Sequence, residues 1–260
     1  HHPAPLRALP PAPPRSREPT SVWYDQKRSA FLFPLPLYPP HRCRRRQKRR
    51  RRRALRPLPP PGPQSTATFP YVSVLDRWRQ RINLIGPANL NDIWNRHVLD
   101  SAQVFPLLGA SRSSSALVDF GSGAGFPGLV LSCISGLPVT LVDSDQRKAV
   151  FLREAARHAG VDVRVIPERF DKALKNEAFG KFQFVTGRAV APLVRLLPFI
   201  YGALEPAGFA LMHKGAQVEK ELTEAMKSWT MKYEMIPSIT SDEGMILKIW
   251  CLRPNDANKL

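Results

Sequence analysis

Thirteen residues constrain this chain more than any others: DFGSGAGFPGLVL, Asp119 to Leu131. The stretch follows a short apolar run, and three of its first seven residues are glycine. A glycine-dense turn between an apolar strand and an apolar helix is how a doubly wound sheet brings backbone close to a ligand, at the carboxyl edge of its strands. Which ligand, and which sheet, depends on what surrounds the turn.

Around it, strand and helix patterns alternate. ALVDF (116–120), VTLVD (139–143), VDVRVI (161–166), FQFVTGRA (182–189) and FALMHK (209–214) read as short buried strands. Pro127 is well placed at a helix start, where its missing N–H costs nothing, and GLVLSCI continues that helix. QRKAVFLREAARHAG is a helix closed by Gly160, APLVRLLPFIYGAL is another, and KSWTMKYEMI with MILKIW supplies a closing pair of strands. Before the first strand, VSVLDRWRQRINLI places Val74, Leu75, Trp78, Ile82 and Ile85 at helical spacing up to Gly86-Pro87. A second helix puts Ile93, Trp94, His97, Val98, Ser101, Val104 and Phe105 on one face, and SRSSS follows as a loop. The pattern predicts an α/β fold with a doubly wound, mainly parallel sheet: N-terminal helices over 71–112, a catalytic domain over 113–253 and a short tail over 254–260.

Residues 1–70 differ in kind. They hold 17 of the 27 prolines and 16 Lys and Arg against Glu18 and Asp25, so +14 of the formal +18 lies there. Like charges repel and prolines withhold donors, so PPHRCRRRQKRRRRRALRPLPPPGP is read as a disordered tail. A nucleic-acid arm, an organelle-targeting peptide and a nuclear-type basic signal compete for it with plain solvated disorder or translated upstream sequence. The apolar FLFPLPLY is shorter than the ~20 residues a bilayer span needs, so no membrane association is expected and a cytoplasmic protein is. Cys43, Cys133 and Cys251 form no CxxC pair, which gives neither a disulfide framework nor a zinc site; a reducing compartment and no metal are expected.

The glycine turn is not a Walker loop, because no Lys-Ser/Thr follows it. GAGFPG (123–128) does fit GxGxxG, and Asp143 stands 20 residues after Gly123. Dinucleotide and S-adenosylmethionine sites both need an acid at the second strand's end for ribose hydroxyls, so Asp143 leaves both open. The register discriminates. The turn off the strand is D-F-G-S-G, with Asp119 at its end and Gly121 and Gly123 inside it, and the GxGxxG match begins only four residues after Asp119. An acid there suits a ligand with an ammonium and a sulfonium, with glycines allowing close approach; alternatively, Asp119 simply bonds loop amides. Together with VTLVD, the turn points to a class I S-adenosylmethionine-dependent methyltransferase, a Rossmann-like seven-stranded sheet with a small N-terminal helical extension. At the fourth strand's end, VTGRAVAP has neither an Asn/Asp-Pro-Pro-aromatic motif nor a cysteine. An acceptor with an in-plane lone pair, such as a ring nitrogen, needs neither a base nor covalent help, only positioning.

RHVLDS (96–101), DFGSGAGFPGLVL, LVDSDQRKAVFLREAA (141–156), GRAVAPL (187–193) and HKG (213–215) together resemble, in order and spacing, the RsmG/GidB family. That family methylates guanine N7 in small-subunit (16S) ribosomal RNA, and the resemblance runs from about Leu75 to Arg253. It implies S-adenosylmethionine as cofactor and 16S ribosomal RNA or the small subunit as partner, with a monomeric enzyme, no metal and no catalytic side chain. Gly121, Gly123 and Phe126 would line the methionine and ribose side and Asp143 the ribose hydroxyls. Phe170 and Asp171 would meet the adenine, and Arg188 the cofactor and substrate. Two positions depart from the pattern: Gly187 stands where the family commonly has Ser or Ala, and Gln183 where it has Asp. Plainer roles stay open: Arg188 as a structural ion-pair partner, Phe126, Trp78 and Trp94 as core, His97 as a satisfied core histidine, Lys148 on a solvated face. Other functions open at this point are an NAD-dependent oxidoreductase, a small-molecule or protein methyltransferase, and a noncatalytic RNA-binding protein.

Overall fold

Four of the apolar runs, Leu117–Phe120 (β1), Val139–Val142 (β2), Val163–Ile166 (β3) and Phe182–Arg188 (β4), lie parallel in one sheet. Leu204–Lys214 (β5) extends it on the far side of β4, also parallel. Trp229–Pro237 (β6) and Met245–Pro254 (β7) close it, with β7 inserted antiparallel between β5 and β6. The resulting order is β3-β2-β1-β4-β5-β7-β6. This computed structural model describes residues 71–86, 92–109 and 116–255. The expected tail over 1–70, Pro87, the SRSSS loop and residues 256–260 lie outside the described residues.

Both faces of the sheet are covered, and side-chain alternation assigns each residue to one of two cores. Leu117, Leu141, Phe184, Leu211 and Ile246 join one cluster; their neighbours Val118, Val142, Val185, Met212 and Leu247 join the other. This is the period of two expected of strands buried on both sides. Tyr71–Trp78 (α1), Gly128–Ser135 (α3) and Gln146–Ala159 (α4) cover the first face, with a π-helix, Trp94–Leu99, that runs into the short α-helix Asp100–Ala102 (α2). Phe170–Ala173 (α5), Leu193–Ala203 (α6) and Val218–Ala225 (α7) cover the second. Among the described residues no helix is long and apolar enough to cross a membrane.

Two N-terminal expectations are corrected. The helix read from Val72 to Ile85 ends at Trp78, and the chain then turns, with the Arg81 and Ile82 N–H groups both donating to the Trp78 carbonyl. Ile82, Leu84 and Ile85 all pack on the same core. A straight helix would set Leu84 roughly 200° round from Ile82, so the turn is what buries both. The second helix is π-wound: the Asp100 N–H reaches back five residues to the Asn95 carbonyl. Its expected inner face holds, with His97, Val98, Ser101 and Val104 buried.

Candidate active site

The strand order reverses direction between β1 and β4, which opens a crevice at their carboxyl ends. The glycine turn fills its rim. Gly121, Gly123 and Gly125 have φ of 66°, 55° and 88°, a left-handed run that favours glycine. The Gly121 N–H donates to the Val142 carbonyl at 2.8 Å, which staples the turn to β2. A Cβ built at Gly123 would meet only the Gly121 carbonyl, in ordinary van der Waals contact at 3.7 Å, so it is the φ of 55° rather than lack of room that favours glycine there.

Asp143, one residue past β2, sits against this turn. Its Oδ2 accepts the Gly123 N–H at 2.8 Å and its Oδ1 the Asp145 N–H at 2.9 Å. Each oxygen keeps a second lone-pair direction, so the carboxylate both shapes the turn and can accept from a ribose hydroxyl. Asp145 in turn caps α4 by accepting the Arg147 and Lys148 N–H groups.

Asp119 does not face the crevice, and the electrostatic argument built on it is corrected. Its carboxylate is fully buried beneath the turn. Oδ1 accepts the Thr186 hydroxyl at 2.9 Å and Oδ2 the Gly128 N–H at 3.2 Å. Burial pushes its pKa up to about 6. The acid therefore ties β1 to β4 and to the start of α3, and the plainer reading of it is the structural one. Gly128 is confined for the same reason, since a Cβ there would lie 2.7 Å from the Asp119 Cβ and 2.5 Å from Leu141 Cδ2.

Phe126 is buried, stacked on His97 at 5.0 Å with the Arg188 guanidinium 5.2 Å from its ring centre. Phe170, at the start of α5, packs on Phe120 and Phe199, and its neighbour Asp171 is exposed and paired with Arg169 at 3.2 Å. Gly121, Gly123, Asp143 and Phe170 thus gather along the carboxyl ends of β1, β2 and β3. Trp78 meets Phe151 edge-on and Trp94 packs against the same core, so both tryptophans are structural. At the Gly187 departure, Met212 Cε takes the room that a Cβ would fill, 2.7 Å from its ideal position.

On the β4 side, Arg188 is engaged by the N-terminal segment. Nη1 donates to Asp100 Oδ2 and to the Arg96 carbonyl, both at 3.0 Å, and Nη2 lies 3.0 Å from His97 Nδ1. Burial, followed by the Arg188 charge, lowers the His97 pKa to about 4, so the ring is neutral at pH 7 and its Nδ1 accepts. Asp100 gathers more: Oδ1 accepts from Thr240 at 2.7 Å and Gln103 at 2.8 Å, and its carbonyl accepts from His213 Nε2 at 2.9 Å. The loop after β4 is clamped from the other side. Lys214 Nζ donates to the Ala191 carbonyl at 3.0 Å and to Glu221 Oε2 at 2.7 Å, and the same oxygen accepts the Leu193 N–H at 2.6 Å. Sequence reasoning gave Asp100, His213 and Lys214 no role, although all three stand in motifs that it singled out.

The family match and the relatives in sequence agree on one family. GidB, described as rRNA small subunit methyltransferase G, matches residues 64–246. The ribosomal RNA small subunit methyltransferase G of Paramagnetospirillum magneticum is 45% identical over 181 residues, covering 69% of this chain and 84% of that protein. Its counterpart in Gluconobacter oxydans is 41% identical over 179 residues, covering 69% and 89%. Among solved structures, a mutant of MtNAS in complex with S-adenosylmethionine superposes with a TM-score of 0.50 at 19% identity, over 72% of this chain and 77% of that one, a likeness of fold. The sheet is that of class I S-adenosylmethionine-dependent methyltransferases. An antiparallel seventh strand separates β5 from β6, whereas the dinucleotide-binding order is 3-2-1-4-5-6.

Proposed function

Because the chain belongs to the GidB family, the rRNA small subunit methyltransferases G, we propose that it transfers a methyl group from S-adenosylmethionine to N7 of a guanine in 16S ribosomal RNA. The observation that carries the cofactor assignment is the pairing of the Asp143 carboxylate with the Gly123 amide in a left-handed turn at the carboxyl edge of the strands. Gly121 and Gly123, left-handed and partly exposed, present backbone there beside a carboxylate that can accept from a ribose, while Gly125 is buried against Leu129. Gly121 and Gly123 would hold the methionine portion, Asp143 the ribose hydroxyls, and Phe170 with Asp171 the adenine. Phe126, being buried, would support the site from beneath through its stack on His97.

The cofactor supplies an electrophilic methyl on a sulfonium, which the N7 lone pair takes directly. N7 carries no proton to remove, so the chain supplies no general base. Its work is orientation: the turn, Asp143 and the clamped loop after β4 fix where the acceptor base can lie. Arg188, at the end of β4, would meet the acceptor side. The protein would act in the compartment that holds the small subunit, as a soluble monomer.

The test is mass mapping of N7-methylguanine in small-subunit ribosomal RNA from cells with and without the gene, beside calorimetry of the purified protein with S-adenosylmethionine and with NAD. The expected result is one N7-methylguanine lost with the gene and heat of binding from S-adenosylmethionine alone. An unchanged RNA mass map defeats the reading, and binding of NAD instead would restore the oxidoreductase.

A further inference from the structure

The residue that gathers most of the acceptor edge is Asp100. It stands where the π-helix gives way to α2, and its partners come from three distant parts of the chain: Arg188 at the end of β4, His213 near the end of β5, and Thr240 between β6 and β7. At this junction the Asp100 N–H bonds the Asn95 and His97 carbonyls, and the Arg96 carbonyl accepts from the Arg188 guanidinium at 3.0 Å.

The charge balance is equally specific. Arg188 keeps its charge at any pH the protein meets. Of its three hydrogen-bond partners, the Arg96 carbonyl and His97 are uncharged, His97 because burial keeps it neutral. His213 also has its pKa lowered by burial. Asp100 is therefore the one carboxylate within ion-pair distance of Arg188 among the described residues, at 3.0 Å, and both side chains are less than one-fifth exposed. A guanine methylated at N7 gains positive charge as the reaction proceeds. A guanidinium free to swing along that edge would oppose this charge; one held by a carboxylate opposes it less and keeps one orientation.

We propose that Asp100 is a positioning residue for methyl transfer, which aims the Arg188 guanidinium at the acceptor edge and offsets its charge. This rests on the assignment of the reaction to guanine N7. Asp100 itself touches neither cofactor nor base and acts through Arg188.

The experiment uses the full chain in three variants, Asp100→Asn, Arg188→Met and the two combined. Turnover of small-subunit particles is measured at saturating S-adenosylmethionine, and cofactor affinity by calorimetry. Asp100→Asn is expected to lower kcat roughly tenfold or more, the scale of one charge-assisted hydrogen bond, while cofactor Kd stays within about threefold. In the Arg188→Met background, Asp100→Asn is expected to cost nothing further, because its effect passes through that guanidinium. A residue that only docked the N-terminal segment would cost the same factor in both backgrounds, and that result overturns the proposal, as does an unchanged kcat in Asp100→Asn. If Asp100→Asn alone does not fold, the double variant decides: kcat equal to that of Arg188→Met supports the proposal, and a further fall overturns it. A wild-type protein that leaves guanine N7 unmethylated would instead bring down the assignment of the reaction.

Discussion

Two glycines show how differently one residue type is constrained within a single site. Gly128 lies against Leu141 Cδ2 and the Asp119 carboxyl, while Gly187 meets chiefly the flexible end of Met212. Gly128→Ala should therefore destabilise by about 1–3 kcal/mol through overpacking and displacement of the Asp119 bond, lowering Tm by several degrees in a thermal scan. Gly187→Ala should stay within about 1 kcal/mol of wild type in the same scan, because Met212 can rotate away. At Asp143, a carboxylate that accepts from ribose contributes about 1.5–3 kcal/mol, so Asp143→Ala should weaken S-adenosylmethionine binding by roughly tenfold or more in calorimetry. The placement of Asp143 against the glycine turn was legible because motif spacing alone puts it just past β2. That of Asp119 was not, since its partner Thr186 lies 67 residues away in sequence and only pairing of β1 with β4 brings the two together.

Strands were the most legible elements, because each is a short apolar run cut off by glycine, proline or charge. Helices were legible in proportion to their apolar stripe. The long α4 announces itself through its terminal Gly160, and the structure adds the Asp145 cap at its start. The short α7 was passed over, because VEKELTEA gives only Val218, Leu222 and Ala225 to the core among five polar or charged positions. Yet α7 is what carries Glu221 to the start of α6 and to Lys214, and so braces the loop after β4 from the side opposite Asp100. Glu221→Gln should leave the mostly buried Lys214 ammonium without its carboxylate and weaken the bond to the Leu193 N–H. The expected cost is about 1–3 kcal/mol, read as a lower urea midpoint at unchanged m-value. A changed m-value would mean instead that the brace alters how much of the chain unfolds together.

Over the whole molecule, two buried groups pull the pH dependence in opposite directions. Asp119, raised to about 6, holds its proton more tightly folded than unfolded, so its contribution falls as pH rises from its ordinary value near 4 towards 6. His97, lowered to about 4 from its ordinary 6.5, costs stability as pH falls through that window, because the unfolded chain takes up the proton first. Replacing His97 by Phe removes the second slope: relative to wild type the variant should gain stability between pH 6.5 and 4, by up to about 1.4 kcal/mol per pH unit. Parallel stability curves for the two proteins would show that His97 titrates normally. Net charge poses the larger question. All of the +14 carried before residue 64 lies outside the family match, whereas every residue named at the site lies within it. Removing residues 1–63 should therefore leave S-adenosylmethionine affinity unchanged within about twofold, the spread expected of independent sites. Affinity for ribosomal RNA should become less salt-dependent, since every phosphate that the truncated chain no longer neutralises takes roughly 0.7–0.9 from the slope of log K against log salt. A slope that survives the truncation would mean that those sixteen basic side chains do not touch RNA, and that binding comes from the folded part alone, where 23 Lys and Arg face 19 acids.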